Sequence, residues 1–343
     1  MDYRLPGGNL YIVKRYYQNP LEDYMGCLRA LACSRARARA YSSAANLGPG
    51  FDALAVALDA YYDEVEVRVC SGGNSVYVDE VEGKFSSGVL QGPNTAAEAV
   101  RGLLNMEGVE AEVGIRVYKG VPPGRGLGSS GASAAAAVAA VSHALALEVP
   151  VDRLVFYAGL GERAAAGQPH FDNAAASILG GLAVVASDAA GKLRVFRVPF
   201  KAWFAVVTPM NPVPQGKTGV MRKVLPENVS FRDAVRNFSR AAGIVAAAVN
   251  GDLKSMGALM MSDEIVEPRR RSYVPCYTQV RKAALQAGAL GFSLSGAGPS
   301  MIALAPSSEA AREIAAAMEE SCICCDNPMT VAAEPAPGAS VVG

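Results

Sequence analysis

Alternation of apolar and polar residues predicts strands in the first third of the chain. In SRARARAYSS, which begins at Ser34, the arginines fall on one face of the predicted strand and the alanines on the other. Residues 53–70, ALAVALDAYYDEVEVRVC, predict a strand pair or one long bent strand, and residues 111–119 alternate as a further strand. We expect the arginines to form a solvated face, with the lining of a binding site as the alternative.

Helical patterns and further strands follow in the middle of the chain. Residues 132–147 are an alanine-rich run that predicts a helix, and Pro150 and Asp152 open a second predicted helix over 151–166. GGLAVVAS and KLRVFRVP return to strand character, and the apolar stretch KAWFAVVTP then starts a new series of elements near residue 201. A first domain is therefore expected over 34–200 and a second over 201–343.

The second half combines helices with a glycine-rich strand region. Helices are predicted over FRDAVRNFSRAAGIVAAAVNG, up to Ala287 and around 310–319, with a connection over EPRRRSY. The tail EPAPGASVVG is expected to be a frayed end. Residues 1–33 carry no amphipathic period, and we expect an N-terminal extension of unknown role there.

Composition narrows the class of protein. The chain has 343 residues, of which 51% are hydrophobic and 19% charged, as expected for a soluble globular protein of about two domains. Its 32 basic residues balance 32 acidic ones, which argues against a nucleic-acid partner or a polybasic membrane contact. The sequence carries no apolar run near the ~20 residues of a membrane helix and no signal-peptide pattern, so a cytoplasmic location and a small-molecule partner are expected.

The cysteines are few and scattered. Seven occur between Cys27 and Cys325, an odd number that argues against a secreted disulfide framework. Cys322, Cys324 and Cys325 are clustered, but no second cluster with zinc-type spacing accompanies them. We expect small buried apolar side chains here, with a metal site as the alternative.

A glycine-rich loop, PPGRGLGSSGASAAAA, begins at Pro122. From Gly126 it matches the dinucleotide-binding pattern G-x-G-x-x-G, but the acid that pattern requires would be Glu148, which ends a helix instead of following a strand. No Lys-Ser or Lys-Thr pair follows the glycines, so a P-loop is also excluded. What remains is a loop whose backbone N–H groups bind phosphate at a helix start, with hydroxyls from Ser129 and Ser130; a capped helix after a turn is the alternative.

The same loop closely resembles the central phosphate-binding motif of the GHMP kinases. SSAANLGPGFDALAVAL near the start and FSLSGAGPSMIAL near the end resemble the other two motifs of this superfamily, in the same order. ANLGPGFD, ERAAAGQPHFDNAAASILGG and RKVLPENVSFRDAVRNFSRAA resemble its homoserine kinase branch. The resemblance runs from about Ser34 to Ala305, with Gly131 where the family usually has alanine and Ser300 where threonine is common.

The resemblance implies a fold and a reaction. The fold would be a two-domain α+β GHMP kinase fold, with an N-terminal domain similar to the second domain of ribosomal protein S5 and a ferredoxin-like C-terminal domain. The reaction would be ATP-dependent phosphorylation of the side-chain hydroxyl of L-homoserine to O-phospho-L-homoserine, a step in threonine biosynthesis. ATP and Mg²⁺ are the implied cofactors, and a homodimer is one expectation for an assembly that the sequence leaves open.

Residue roles follow from the same resemblance. Arg222 and Arg270 would bind the homoserine carboxylate, and Asn46 and Asp52 its ammonium group. Ser130 and Glu162 would hold Mg²⁺. Further substrate contacts would come from Asn173, at the reacting hydroxyl, and from Thr218 and His170. ATP would be bound by Asn94, near the adenine, and by Pro122, Gly124, Gly126, Leu127, Gly128, Ser129 and Ser130.

Several of these roles have alternatives. Asn46 and Asp52 are also typical turn residues, Glu162 is also compatible with a surface pair to Arg163, and Arg270 is also one of three arginines in a solvated connection.

The general base is left open as well. Asp172 and His170 are candidates, and a mechanism without a base is the third possibility, because positioning can suffice for phosphoryl transfer. Among whole functions, the alternatives are a shikimate- or mevalonate-type GHMP kinase and a catalytically silent protein with this fold and a regulatory role.

Overall fold

The computed structural model describes residues 33–88, 94–166, 170–214 and 216–342. The predicted N-terminal extension lies outside the described residues except for Cys33, with which the first strand begins. The described residues form two β-sheets with helices packed against each.

The first sheet has a central long hairpin. Its strands are β1 (Cys33–Asn46), β2 (Gly50–Ser71), β3 (Ser75–Glu82), β4 (Ala111–Tyr118), β5 (Leu182–Ser187), β6 (Leu193–Val198) and β11 (Ser340–Val342). They are ordered β11-β1-β2-β4-β3, with β5 paired to β2 and β6 to β5, and β3–β4 is the parallel pair. The residues predicted as a strand pair or one bent strand lie in the single strand β2, where a register shift after Tyr41/Tyr62 marks the bend.

Alternation on β1 correctly predicts its two faces. Ala36, Ala38 and Ala40 are buried, whereas Arg37 and Arg39 form ion pairs with Glu64 on the other face. The arginines of this strand do not line the main cleft, so the expected solvated face is confirmed.

Four helices cover the buried face of this sheet: α1 (Thr95–Glu107), α2 (Ser129–Ala144), α3 (Val151–Ala166) and α4 (Phe171–Leu179). The alanine-rich α2 is buried on almost every side, between β1 and β2 and the other three helices. Small side chains let these elements approach closely, which explains why the helix is apolar all round. The start of α2, where the glycine loop ends, is thereby fixed in the centre of the first domain.

The second sheet is antiparallel. Its order is β10-β7-β9-β8, from β7 (Trp203–Thr208), β8 (Gly291–Leu294), β9 (Met301–Ala305) and β10 (Met329–Ala333). The helices of this half are α5 (Lys217–Lys223), α6 (Phe231–Asn250), α7 (Leu253–Met260), α8 (Glu267–Arg270), α9 (Tyr277–Gln286) and α10 (Ser308–Ser321). One apolar cluster, which includes Leu47, Leu54, Phe204, Ile244 and Met256, contains residues from both halves and holds the two sheets together.

The C-terminal tail is ordered, so the expectation of a frayed end is wrong. Strand β11 pairs with β1, and the Ala336 N–H donates to the Ala57 carbonyl at 3.0 Å. Ala336 is also buried in the core of the first domain. The described end of the chain therefore returns from the second sheet to the first, because backbone hydrogen bonds and one buried alanine outweigh the entropy of a free tail.

The cysteines are also different from the expectation. Disulfides join Cys33 to Cys70, Cys276 to Cys324, and Cys322 to Cys325. The expected apolar thiols are therefore wrong for these residues, and the three clustered cysteines are used in disulfides instead of a metal site. Cys33 and Cys70 are opposite one another on β1 and β2, a neighbourhood that sheet pairing creates and residue count does not reveal.

Candidate active site

A cleft opens between the two halves of the molecule. The end of β1, the glycine loop, α3, α4, α5, α8 and the turn between β8 and β9 all contribute to its wall. Of the residues proposed above, the cleft is lined by Asn46, Asp52, Gly124, Gly126, Gly128, Ser129, Ser130, Glu162, His170, Asp172, Asn173, Thr218, Arg222 and Arg270.

The stretch FSLSGAGPSMIAL, the third motif of the resemblance described above, forms hydrogen bonds to the glycine loop. Ser295 Oγ donates to the Gly126 carbonyl at 2.5 Å, and the Ser300 N–H donates to the Arg125 carbonyl at 3.1 Å. A Cβ on Gly126 would lie 2.2 Å from the Ser295 carbonyl oxygen, and Gly126 has φ +81°. Glycine is required here by both the close approach and the left-handed backbone.

A buried ion pair stabilises the end of the glycine loop from inside the first domain. Lys119 Nζ pairs with Asp63 and donates to Ser133 Oγ at 2.8 Å and to the Ser129 carbonyl at 3.1 Å. Asp63 Oδ1 accepts the N–H groups of Gly120 and Val121, both at 2.9 Å. Sequence reasoning missed this pair, because 56 residues separate the two charges and nothing local indicates that they meet.

Ser129 and Ser130 differ in their surroundings. Ser129 Oγ donates to the Val121 carbonyl at 3.0 Å, so its proton fixes the loop, and only its oxygen lone pairs remain for another partner. Ser130 is partly exposed and lines the cleft. Of the two hydroxyls, Ser130 is the better placed for a ligand.

Two carboxylic acids are buried beside the loop. Glu162 is 8% exposed and Asp172 is 3% exposed. Burial, together with the nearby Asp172 charge, raises the pKa of Glu162 to about 8. Burial, together with the charge of Asp52, raises the pKa of Asp172 to about 7. The alternative of a surface pair between Glu162 and Arg163 is wrong, because Glu162 is inside the molecule and Arg163 is exposed.

The other end of the cleft combines arginines with a carboxylate. Arg222 Nη2 donates to both carboxylate oxygens of Asp52, at 2.7 Å to Oδ1 and 2.6 Å to Oδ2. Arg222 Nε donates to His170 Nε2 at 2.9 Å. Burial and the Arg222 charge lower the pKa of His170, which leaves its Nε2 free to accept this hydrogen bond. The guanidinium groups of Arg222 and Arg270 lie 5.2 and 5.1 Å from the ring centroid of Phe51.

Arg270 connects three elements. It is 3% exposed, and it donates from Nε to the Met221 carbonyl and from Nη1 to the Gly296 carbonyl, each at 3.1 Å. The alternative that places it in a solvated connection is wrong, although its neighbours Arg269 and Arg271 are exposed. The periodicity of EPRRRSY does not indicate which arginine faces inward, because α8 is only one turn long.

Asn46 and Asp52 are interpreted above either as turn residues or as residues of a binding site, and the structure is compatible with both. Asn46 and Asp52 have φ of 78° and 56°, and Asn46 Oδ1 accepts the Asp52 N–H at 3.4 Å. Asn46 Nδ2 also donates to the Gly296 carbonyl at 3.2 Å, which ties this turn to the third motif. The same side chains therefore stabilise the turn and line the cleft.

Three proposed ATP-binding residues do not line the cleft. Leu127 is fully buried in the core, and its carbonyl accepts the Ser43 N–H at 3.0 Å, so a nucleotide could reach only its backbone. Pro122 is buried, and Asn94 Oδ1 caps α1 by accepting the Ala96 N–H at 2.9 Å. Their contacts with ATP stay predictions.

Sequence reasoning also missed two residues that line the cleft, Phe51 and Lys217, and a fully buried residue, Ser43, that supports it. Phe51 lies within GPGFD and supports both arginines, and Ser43 Oγ donates to Asn173 Oδ1 at 2.9 Å, which fixes the amide of Asn173. Lys217 precedes Thr218 at the start of α5. An aromatic residue and a lysine have many roles, so neither type indicates a site without its neighbours in space.

The donor set near α2 fits a magnesium ion. Glu162 and Asp172 are two buried carboxylates, the charge of Asp172 contributes to the raised pKa of Glu162, and Ser130 adds a hydroxyl at the same wall. Within the described ranges no group of three or more His, Cys, Asp or Glu residues could hold a metal alone. Mg²⁺ in phosphoryl-transfer sites uses one or two carboxylates with substrate phosphates and water, which matches this arrangement.

No helix in the described part of the chain is long and apolar enough to cross a membrane.

Comparison with known proteins places this geometry in a family. The N-terminal domain of the GHMP kinases matches residues 94–181, and their C-terminal domain matches residues 244–324. Homoserine kinase of Pyrobaculum neutrophilum is 46% identical over 270 residues, which cover 78% of this chain and 86% of that protein. Homoserine kinase of Thermoplasma volcanium is 38% identical over 260 residues, 76% of this chain and 81% of that protein.

Solved structures agree. The crystal structure of homoserine kinase from Cytophaga hutchinsonii is similar with a TM-score of 0.80 and 31% identity, and the match covers 96% of this chain and 100% of that one. Leishmania major mevalonate kinase shares the fold at a TM-score of 0.63 and 18% identity. The expected two-domain α+β fold is confirmed, and the chain belongs to the GHMP kinase family.

Proposed function

We propose that this protein transfers the γ-phosphoryl group of ATP to the side-chain hydroxyl of L-homoserine, giving O-phospho-L-homoserine and ADP. The observation that carries the proposal is the cleft itself, which joins a phosphate-binding loop to a pocket with the charges of an amino acid. Relatives from Pyrobaculum neutrophilum, Thermoplasma volcanium and Saccharolobus solfataricus, which are 46%, 38% and 36% identical over most of their length, are homoserine kinases. In that role the enzyme would serve threonine biosynthesis.

The amino-acid end of the cleft suits a zwitterion. Asp52 and Arg222 form an ion pair at 2.6 Å. A bound amino acid would exchange this ion pair for two, with its carboxylate at Arg222 and Arg270 and its ammonium at Asp52 and Asn46. Planar guanidinium groups bind carboxylates in a defined orientation, so the side-chain hydroxyl would be directed towards the loop.

The nucleotide end suits a triphosphate. The N–H groups of the loop and the positive end of α2 would bind the phosphates, as helix starts generally bind anions. Ser130 and Glu162 would hold Mg²⁺, which neutralises charge on the β- and γ-phosphates. A metal ion would also favour the ionised form of Glu162, whose pKa burial raises to about 8.

Asp172 is our proposed proton acceptor. Its raised pKa of about 7 places it near the pH at which an acid can take and release a proton. As the homoserine oxygen bonds to the γ-phosphorus, the bond to the β–γ bridging oxygen breaks, ADP leaves, and the hydroxyl proton passes to the Asp172 carboxylate. Asn173, fixed by Ser43, would position the reacting hydroxyl.

The proposal is tested by ADP release from purified protein with ATP, Mg²⁺ and one acceptor at a time: homoserine, threonine, shikimate, mevalonate or galactose. We expect homoserine to give the highest kcat/KM and ³¹P NMR to identify O-phosphohomoserine. Preference for shikimate or mevalonate would assign a different kinase activity, and no ADP release with any acceptor would favour a silent regulatory protein. A homodimer and a cytoplasmic location stay predictions.

A further inference from the structure

Lys217 is a buried lysine whose ammonium group has no hydrogen-bond partner in the part of the chain that the structure describes. Lys217 is 7% exposed and lines the cleft. Lysine is rarely buried unless its charge is compensated, because removing an ammonium group from water is costly. This side chain is therefore expensive for the fold, and a ligand-binding role would explain its presence.

The groups around Lys217 are positive. Burial and, to a smaller extent, the charges of Arg125 and Arg270 together lower the pKa of Lys217 to about 7. Both arginines are already hydrogen-bonded to backbone carbonyls: Arg125 to Pro209 at 2.9 Å and Asn211 at 2.5 Å, and Arg270 to Met221 and Gly296 at 3.1 Å. Of these three side chains, Lys217 is the one that makes no hydrogen bond to the described residues, so its whole ammonium group is available for an anion.

The position of Lys217 indicates which anion. Arg125 belongs to the glycine loop, at the nucleotide end of the cleft, whereas Arg270 lies at the amino-acid end. The charges of Arg125 and Arg270 both act on Lys217, which lines the cleft together with Gly124, Gly126 and Thr218. The anionic group between a nucleotide and its acceptor is the terminal phosphate, and the compact charge of lysine suits phosphate oxygens.

We propose that Lys217 binds the γ-phosphate of ATP and stabilises it as it moves to the acceptor hydroxyl. This inference rests on the phosphotransferase function proposed above, but not on the identity of the acceptor. A cation placed at the transferred group should matter most in the transition state, where charge spreads over the phosphoryl oxygens.

The test is Lys217→Met, which keeps the length of the side chain and removes its charge. Lys223→Met is the matched control, because Lys223 is exposed on the same helix, α5. We expect Lys217→Met to lower kcat by ~10²-fold or more while the KM for homoserine changes less than about threefold. Lys223→Met should leave both constants close to wild type.

Binding without turnover separates this inference from the identity of the substrate. Calorimetry should show that Lys217→Met weakens binding of a non-hydrolysable ATP analogue much more than binding of AMP. If wild-type protein binds the analogue but does not phosphorylate homoserine, the proposed function fails, and this comparison still tests Lys217.

A stability measurement gives a signature that a structural lysine would not produce. Without nucleotide, Lys217→Met should unfold at a higher temperature than wild type, since an unpaired buried charge is removed. Lys217→Arg should recover part of the lost kcat.

Equal losses of analogue and AMP binding, an unchanged kcat, or an effect on the KM for homoserine alone would each overturn the proposal, the last by assigning Lys217 to the acceptor carboxylate. Should Lys217→Met fail to fold, Lys217→Gln is measured in the same way, and failure of both would show a structural role.

Discussion

At the scale of single residues, Glu162 combines a cost in stability with a use in binding. Its carboxyl group is buried near Asp172, and no arginine or lysine forms an ion pair with it among the described residues. Burial of the charged form disfavours folding unless a cation compensates it. The same property makes the site attractive for Mg²⁺.

The stability of the nucleotide-free protein should therefore depend on pH through Glu162. Because its pKa is about 8 in the folded chain and 4.5 as the ordinary value, the unfolded chain ionises first as the pH rises. Stability is fully present below pH 4.5, falls up to about pH 8 and then levels off. In Glu162→Gln this loss should be smaller by a few kcal/mol, measured as unfolding free energy in denaturant at about pH 5.5 and pH 8.5.

The same variant should lose catalysis. At saturating Mg²⁺ we expect Glu162→Gln to lower kcat ~10²- to 10³-fold, and to change the KM for homoserine much less. Glu148→Gln, an exposed change after α2, is the control. Near wild-type turnover of Glu162→Gln would transfer the proposed metal role to Asp172.

Arg270 supports a second prediction at this scale. Arg270→Leu should lower kcat/KM for homoserine by about thirtyfold to a thousandfold, because one charge-assisted contact to a partly desolvated carboxylate is lost. The Met221 and Gly296 carbonyls would also lose their donor, so a fall in stability should accompany the kinetic effect.

The control for Arg270→Leu is Arg271→Leu, the exposed neighbour. An amino alcohol that lacks the carboxylate provides a second comparison. The wild-type enzyme should use it much less well than homoserine, whereas Arg270→Leu should use the two substrates almost equally. Equal preference for homoserine in both proteins would contradict the carboxylate assignment.

At the scale of elements, the site depends on the contact between the glycine loop and the β8–β9 turn. Ser295, Ser300 and Gly296 hydrogen-bond to the loop or to the end of β1, so the loop of one domain is shaped by a turn of the other. A change in either element should be transmitted to the phosphate-binding backbone.

Gly126→Ala tests this contact. The new Cβ would lie 2.2 Å from the Ser295 carbonyl and would force the turn away from the loop. Gly191→Ala is a matched control, because Gly191 has a similar positive φ of +76° and open space around it. Both changes carry the backbone cost of about 1 kcal/mol. Only Gly126→Ala should raise the KM for ATP markedly, and equal kinetics in the two variants would show that the contact is dispensable.

At the scale of the whole molecule, two of the three disulfides among the described residues connect distant parts of the chain. Cys276–Cys324 joins the start of α9 to the turn after α10 across 48 residues, and Cys33–Cys70 closes 37 residues of the first sheet. Closing such loops restricts the unfolded chain.

Reduction should therefore destabilise the protein. We expect the Cys276→Ala/Cys324→Ala variant to lose about 2–4 kcal/mol of unfolding free energy. Titration of thiols in denatured, unreduced protein should find at most one of the seven cysteines free, since six are paired. Seven reactive thiols before reduction, or a variant as stable as wild type, would show that the bonds are not formed or not stabilising.

Local patterns were sufficient for much of the fold. Alternation predicted β1 and β4, the alanine run predicted α2, and Pro150 with Asp152 marked the start of α3, because strand and helix periodicities act over a few residues. The tail was misjudged for the same reason. Its composition is that of a loop, and its order comes from pairing with β1, which precedes it by more than 300 residues in the chain.

The sequence by itself determined the glycine loop, the three family motifs and most residues of the cleft, because their residue types and spacing follow from local backbone geometry. Only the tertiary structure decided which charges are buried and which pairs meet. Asp63 pairs with Lys119, Arg270 is buried while its neighbours are exposed, Lys217 is buried with no hydrogen-bond partner among the described residues, and Cys276 meets Cys324. Electrostatic partners and desolvation depend on distance in space, and that distance is fixed only when the two domains pack together.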